Sequence, residues 1–522
     1  MLYISAEFAV KFLAALISLF LTFYVFSTKR RSKEKSLSLP GPSGLPVVGY
    51  LPFLGSDLRF TFKDLADIYG PIFKVRLGYK EAVVITSPSL AKEVLRDKDV
   101  VFSNRDPTVA AKIAVGGSDI AFSDNGPEWR KMKKIFVSEM LSNANLDATS
   151  HHRKHNVKIM INKTYKKAGE LVDIGELVFI TIIGSVMSMV WGNSMKGLGG
   201  NAIDAEFRSV VADFMFLLGE PNISDFLPCF ARFDLQGVRR RMTLAAERIE
   251  KLFDLAIQHH SAADTNNQKD FLGCLLQHTK LEDPATSLTL PQVKGILTDA
   301  IIGGMDTTSS TVELAMAQIL KHPEIMRKIQ EELTEIVGLN NTIDESHLSK
   351  LKYLNAVLKE TLRLHPAVPL FVPHRPKTST TVGGYTVPKD SQIFINVWAI
   401  HRDPQLWENP TEFRPKRFLN GSEKSDFMGK QFEYLPFGSG RRMCPGKQFE
   451  YLPFGSGRRM VPRMLVLGSL LHCFEWKLPN DTVDVDLTEK FGIVVRKSTP
   501  LLAVPSPRLS KVDLYSMDSI SE

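Results

Sequence analysis

Phe437-Gly-Ser-Gly-Arg-Arg-Met-Cys444-Pro-Gly446 is the stretch on which the reading of this chain turns. Its glycines let the backbone turn tightly and come close to a flat ligand. Arg441 and Arg442 set positive charge beside one thiol, which lowers its pKa and can pair with an acidic ligand edge. The combination suits a loop that hands a single cysteine thiolate to a metal. The same region is duplicated. Residues 429–443 recur letter for letter as 446–460, and the second copy runs into Val461-Pro462, so it has no cysteine.

The pattern Phe437-x-x-Gly440-x-Arg442-x-Cys444-x-Gly446 resembles the haem-binding signature of cytochromes P450. Three further motifs stand in the family's order: Gly303-Gly-Met-Asp306-Thr307-Thr308, Glu360-x-x-Arg363 and Phe413-x-Pro415-Lys416-Arg417-Phe418. The flavour is that of plant microsomal members hydroxylating terpenoids, phenylpropanoids or flavonoids. The resemblance implies a mainly α fold with small β-sheets, behind a single N-terminal transmembrane helix. It also implies haem b with Cys444 as the axial ligand of the iron, and a monooxygenase that consumes O2. Thiolate ligation pushes electron density toward O–O cleavage. Electrons would come from NADPH only indirectly, through NADPH–cytochrome P450 reductase, because no flavin or dinucleotide fingerprint is evident here.

At 522 residues, length alone would suggest several domains, yet no linker divides the chain. A hydrophobic fraction of 44% and a charged fraction of 23% are those of a globular protein. The organisation expected is an anchor over 1–28, a basic stretch and proline-rich hinge over 29–47, one domain over 48–508 containing the duplication, and a tail over 509–522. Phe8–Ser27 is apolar apart from Lys11 and a few small polar residues, long enough to cross a ~30 Å hydrocarbon core. No convincing cleavage site follows it, and the basic cluster Lys29–Lys35 should stay cytoplasmic. A single-pass protein of the endoplasmic reticulum membrane, in contact with its lipid and with a cytosolic catalytic domain, is expected.

Four cysteines, at 229, 274, 444 and 473, form neither a disulfide framework nor a zinc pattern. The net charge of +8 comes without any nucleic-acid-binding module, so nucleic acid is excluded as a partner. An acidic redox partner and anionic lipid account for it better. His151-His152-Arg153-Lys154-His155 reads as a solvated basic helix face and not as a metal cluster.

Residues 292–320 carry a long apolar helical pattern interrupted by Gly303-Gly304, each costing ~1 kcal/mol relative to alanine. Removing two side chains makes room for a bulky planar group or bound oxygen. The resemblance implies that Asp306 and Thr307, one turn on, are the acid–alcohol pair relaying protons for O–O cleavage. It further implies a buried structural network of Glu360, Arg363 and Arg417, in which Lys416 stands where the family usually has Glu. Motif matches assign Arg105, Trp129, Lys133, His374 and Arg442 to the haem propionates, with Phe437, Gly440 and Gly446 shaping the cysteine loop. Lys133 replaces the family's usual Arg, so a point charge replaces a planar fork. The segments 112–117, 214–218 and 367–371 are candidate contacts for an apolar small-molecule substrate.

The duplication leaves two arrangements open. In one, the first copy holds the haem and the second is an inserted loop; in the other, the second copy packs in the normal site and puts Val461 where sulfur belongs. Haem ligation favours the first, since it stabilises only the conformer presenting Cys444. In both, helix restarts near Pro462, a favourable first-turn proline. A verbatim copy without drift is the mark of a recent duplication or of a misassembled sequence. Two other functional readings stay open: a reductase-independent haem-thiolate isomerase or dehydratase, and a haem-deficient protein whose proximal site the duplication has broken.

Overall fold

The computed structural model describes residues 38–192, 201–262, 270–419, 430–446, 462–479 and 484–517. The anchor, the cluster Lys29–Lys35, the second copy from 447 and Val461 all lie outside the described residues.

Seven helices position the site: α1 (Pro127–Glu139), α2 (Ser150–Lys166), α3 (Ile174–Trp191), α4 (Asn201–Gly219), α5 (Leu290–Lys321), α6 (Lys352–Leu364) and α7 (Pro462–Cys473). The spine is α5. Thr289 and Gln292 exchange side-chain and backbone hydrogen bonds at its start in a capping box, with proline in the first turn. Its apolar residues fill the largest core cluster together with those of α3 and α7. Helix α3 is long and apolar enough to cross a membrane, but most of it is buried against α5 and α2, so it is a core helix.

Five strands make the largest sheet, in the order β1 (Ile72–Leu77), β2 (Lys80–Ile85), β8 (Gln392–Ile395), β5 (His374–Arg375) and β3 (Asn104–Arg105). Strands β2 and β8 are parallel, whereas β5 runs antiparallel to β3 with Arg105 opposite His374. A second sheet joins β4 (Val172–Asp173), β12 (Leu502–Pro507) and β9 (Phe474–Lys477). Two ribbons complete the set: β6 (Thr380–Val382) with β7 (Tyr385–Val387), and β10 (Glu489–Lys490) with β11 (Arg496–Lys497). The architecture is mainly helical with small sheets, as expected from the motifs.

The basic helix face needs correcting. Arg153 is buried, with Nε 2.9 Å and Nη2 3.1 Å from the Glu345 carboxylate and Nη2 2.7 Å from the Leu146 carbonyl. Helical periodicity turns position 153 inward while His151 stays exposed, and a paired guanidinium tolerates burial that a lone charge would not. Among the described residues no group of histidine, cysteine, aspartate or glutamate is arranged to hold a metal.

Candidate active site

The first copy of the duplicated segment is packed into the fold. Tyr434 is buried and its hydroxyl donates to the Lys359 carbonyl at 2.9 Å, while the Leu435 N–H donates to His401 Nε2 at 2.9 Å. The chain then turns through Gly438 and Gly440, both at positive φ. A Cβ on Gly440 would sit 1.9 Å from the Leu95 carbonyl oxygen, so this glycine is needed for contact with protein backbone and not with a ligand. Cys444 follows, its N–H donating to the Phe437 carbonyl at 3.0 Å and its side chain exposed. Gly446 lies beside it, where a Cβ would stand 3.5 Å from the cysteine sulfur.

Four cationic or titratable groups meet next to this loop. Arg442 stacks over the Trp129 ring at 4.2 Å and donates from Nε to the Ser103 carbonyl at 2.6 Å and from Nη1 to the Ile120 carbonyl at 3.0 Å. Trp129 Nε1 donates to that same Ile120 carbonyl at 2.9 Å. Lys133, one helical turn from Trp129 on α1, hydrogen-bonds the Arg441 carbonyl and lies 5.2 Å over the indole. Arg105 reaches the carbonyls of Val372 and Pro373, and His374 donates from Nδ1 to the Phe102 carbonyl at 2.8 Å. That bond leaves Nε2 as the unprotonated nitrogen of the neutral ring.

These groups hold one another in an electrostatically unfavourable state. Burial first, then the charge of Arg442, pushes Arg105 down to about 9 and Lys133 down to about 8. Burial likewise brings Arg442 down to about 10, and burial with Arg105 holds His374 well below its ordinary range. Two of the carboxyl groups that oppose Arg442, those of Asp119 and Asp299, are themselves raised by burial, and Asp124, whose Oδ1 accepts the Arg105 N–H at 3.1 Å, is the third. Cys444 favours the charged form of Lys133. The donor set therefore fits a ligand with carboxylates at its edge and a metal that takes a thiolate: haem satisfies both demands. Sequence reading assigned these positions by motif, and the fold brings them together.

Helix α5 runs unbroken through 303–308. A Cβ on Gly303 would meet nothing within 4 Å, whereas one on Gly304 would rest 3.5 Å from Val186. Gly303 opens the helix surface; Gly304 faces Val186 of α3 at a distance that an alanine Cβ would tolerate. The Thr307 hydroxyl donates to the Gly303 carbonyl at 2.8 Å, so it does not interrupt the helix ladder. Asp306 is buried, with Oδ1 2.8 Å from Arg496 Nε, and Oδ2 has no hydrogen-bond partner among the described residues. Burial raises its pKa against the opposing pull of Arg496.

Two site residues escaped the sequence reading. Arg463, on α7, is buried with its guanidinium 5.6 Å from the Phe437 ring and Nη2 3.3 Å from the Thr307 carbonyl, joining the cysteine side to the α5 side. Its signal was a lone cation in the apolar run Pro462-Arg463-Met464-Leu465. Asp119 had none, because its role depends on a loop folding against Arg442. Of the substrate candidates, Phe371 adopts positive φ and packs near Gly438, whereas Phe214 is buried in the main core and Phe216 is exposed.

The family model for cytochrome P450 matches residues 39–504. Cytochrome P450 76C2 of Arabidopsis thaliana is 36% identical, with 94% of this chain and 96% of that protein aligned. A geraniol 8-hydroxylase from Swertia mussotii is 37% identical over 95% and 99% of the two chains, and a flavonoid 3′,5′-hydroxylase from Campanula medium is 34% identical over 95% and 97%. A zebrafish cytochrome P450 structure with progesterone superposes with a TM-score of 0.73 at 24% identity, covering 86% of this chain and 99% of that one, which speaks for the fold. With motif, donor set, fold and relatives in agreement, the chain belongs to the cytochrome P450 family, monooxygenases whose haem is held through a cysteine thiolate and reduced by NADPH through a separate reductase.

Proposed function

We propose that this protein hydroxylates an apolar plant metabolite, a terpenoid or a flavonoid or phenylpropanoid, as a cytosol-facing enzyme of the endoplasmic reticulum membrane. The convergence of Arg105, Lys133, Arg442 and His374 around the Cys444 loop carries the reading. Cys444 would bind the iron, and the four basic groups would take the propionates. The haem, when bound, supplies O2 activation and insertion of one oxygen atom into a C–H bond. A carboxylate beside His374 would restore its second proton and turn Nε2 into a donor. Phe437 and Arg463 wall the cysteine side, and Gly303 leaves room on the other. Asp306 would hold a proton at Oδ2, and the Thr307 hydroxyl, released from the Gly303 carbonyl, would pass it on.

The substrate class is supported by the names of the relatives, which act on geraniol and flavonoids. Membrane attachment is supported by Phe8–Ser27 and the basic residues after it. The relatives named above give no support to an isomerase or dehydratase. The test is spectral and catalytic. The reduced protein under CO should show the red-shifted Soret band of thiolate ligation, lost in Cys444→Ala, and product from geraniol or a flavonoid with O2 as the oxidant should require NADPH and reductase. An unchanged spectrum in Cys444→Ala, or a hydroperoxide rearranged or dehydrated as the substrate while geraniol and flavonoids stay unoxidised in the presence of NADPH and reductase, overturns the reading.

A further inference from the structure

A cavity of about 200 Å³ lies between α3, α4, α5 and β11, on the side of α5 that carries Asp306. Asp306, Ser310 and Glu313 line it at helical spacings of i, i+4 and i+7, which place them in a row on one face. Arg496 lies over the row: its Nε holds Asp306 Oδ1 at 2.8 Å while 41% of its side chain remains exposed. Apolar walls come from Phe179, Val211 and Met215. At ~30 Å³ per molecule the cavity has room for several waters, and its polar row gives them partners.

Glu313 sits at the far end of the row. Its carboxyl group packs so close to Gly175 that a Cβ there would stand 2.6 Å from Oε1. Around it lie Asp173, Arg496 and Lys497, and it accepts the Leu501 N–H. Burial, then the charge of Asp173, lifts its pKa to about 6, against the Leu501 N–H and the two cations. Such a group exchanges protons readily near neutral pH.

We propose that this cavity is the solvent inlet for protons consumed at Asp306, with Glu313 as its entry acid and Arg496 as the positioning residue that holds the Asp306 carboxyl group at the cavity wall. Glu313 gives its carboxyl proton to a cavity water as that water chain passes one to the Asp306 carboxyl group, and solvent re-protonates Glu313. Only O–H bonds break and form, and no electrons move. The proposal rests on the reading of Asp306 and Thr307 as the proton-relaying pair.

The test uses full-length haem-loaded protein with reductase, NADPH and geraniol as probe, measuring H2O2 released per NADPH oxidised. Glu313→Gln should raise that ratio about tenfold, less than the ~10²–10⁴ contributed by a directly positioned acid, because water still enters. Gly175→Ala, which displaces the Glu313 carboxyl, should act in the same direction. Cumene hydroperoxide supplies oxygen already protonated, so turnover driven by it should be unchanged in both variants. Infrared spectra should show a carboxyl band that titrates near pH 6, shifts promptly in D2O and vanishes in Glu313→Gln. If Asp306→Asn releases H2O2 but Glu313→Gln does not, the inlet is refuted and the acid–alcohol reading stands. Equal loss of NADPH-driven and hydroperoxide-driven turnover, or no such infrared band, also refutes the inlet. Should Asp306→Asn leave the ratio unchanged, the acid–alcohol reading fails and takes the inlet with it.

Discussion

Glu360 and Arg363 lie one helical turn apart with Oε2 2.8 Å from Nε and Oε1 2.9 Å from Nη2, and neither side chain meets solvent. Arg417 Nε and the Arg414 N–H close on the same carboxylate at 3.0 and 2.8 Å. Arg363 also donates to the carbonyls of His401, Pro410 and Glu412. Removing one partner would leave the other charge buried, so Arg363→Ala should cost about 3–5 kcal/mol in urea unfolding. Lys416→Glu, which restores the usual family residue, should change stability by less than about 0.5 kcal/mol because Arg417 already completes the network.

His401 makes stability depend on acid. Its Nδ1 donates to the Arg363 carbonyl at 3.2 Å and its Nε2 accepts from Leu435, while burial and then Arg363 bring its pKa down to about 3. Below the unfolded value near 6.5, the unfolded chain binds a proton that the folded chain refuses. Stability is therefore full above that pH and lost as pH falls, by about 2 kcal/mol at pH 5 from this residue alone. Urea midpoints at pH 7 and pH 5 should show the loss, and His401→Gln should lower stability at pH 7 while flattening its pH dependence.

Two glycines should respond oppositely to alanine. Gly440→Ala forces a side chain into positive φ and against the Leu95 carbonyl, a strain of about 1–3 kcal/mol or more. Gly303→Ala meets no atom and gains ~1 kcal/mol of helix propensity. Thermal unfolding should fall in the first variant and rise in the second, with the Gly303→Ala enzyme losing substrate-induced spectral change through crowding of the open helix surface.

Topology can be read from glycosylation. Among the described residues Asn162 donates to the Tyr515 carbonyl at 2.9 Å, Asn222 is buried, and Asn340 is the exposed sequon asparagine. On the proposed topology, with Lys29–Lys35 cytosolic, all five sequon asparagines should stay bare, including Asn420 and Asn480, which lie outside the described residues. Endoglycosidase treatment of membranes from expressing cells should leave gel mobility unchanged; a shift would place the domain in the lumen.

Local and covalent features were legible in the sequence. The cysteine loop, the opening at Gly303, the Glu360–Arg363 spacing and the restart of helix at Pro462 each follow from residue type and short spacing, since steric freedom, helical period and the missing proline N–H act within a few residues. Tertiary structure decided what burial and long-range contact control. It turned Arg153 inward to Glu345, gave Gly440 to Leu95, faced Gly304 toward Val186, and set Arg463 between Phe437 and Thr307. It also brought Arg496 onto Asp306 from 190 positions away along the chain, as the numbering shows. A charge's protonation and a glycine's purpose depend on the atoms around them, and chain folding chooses those atoms.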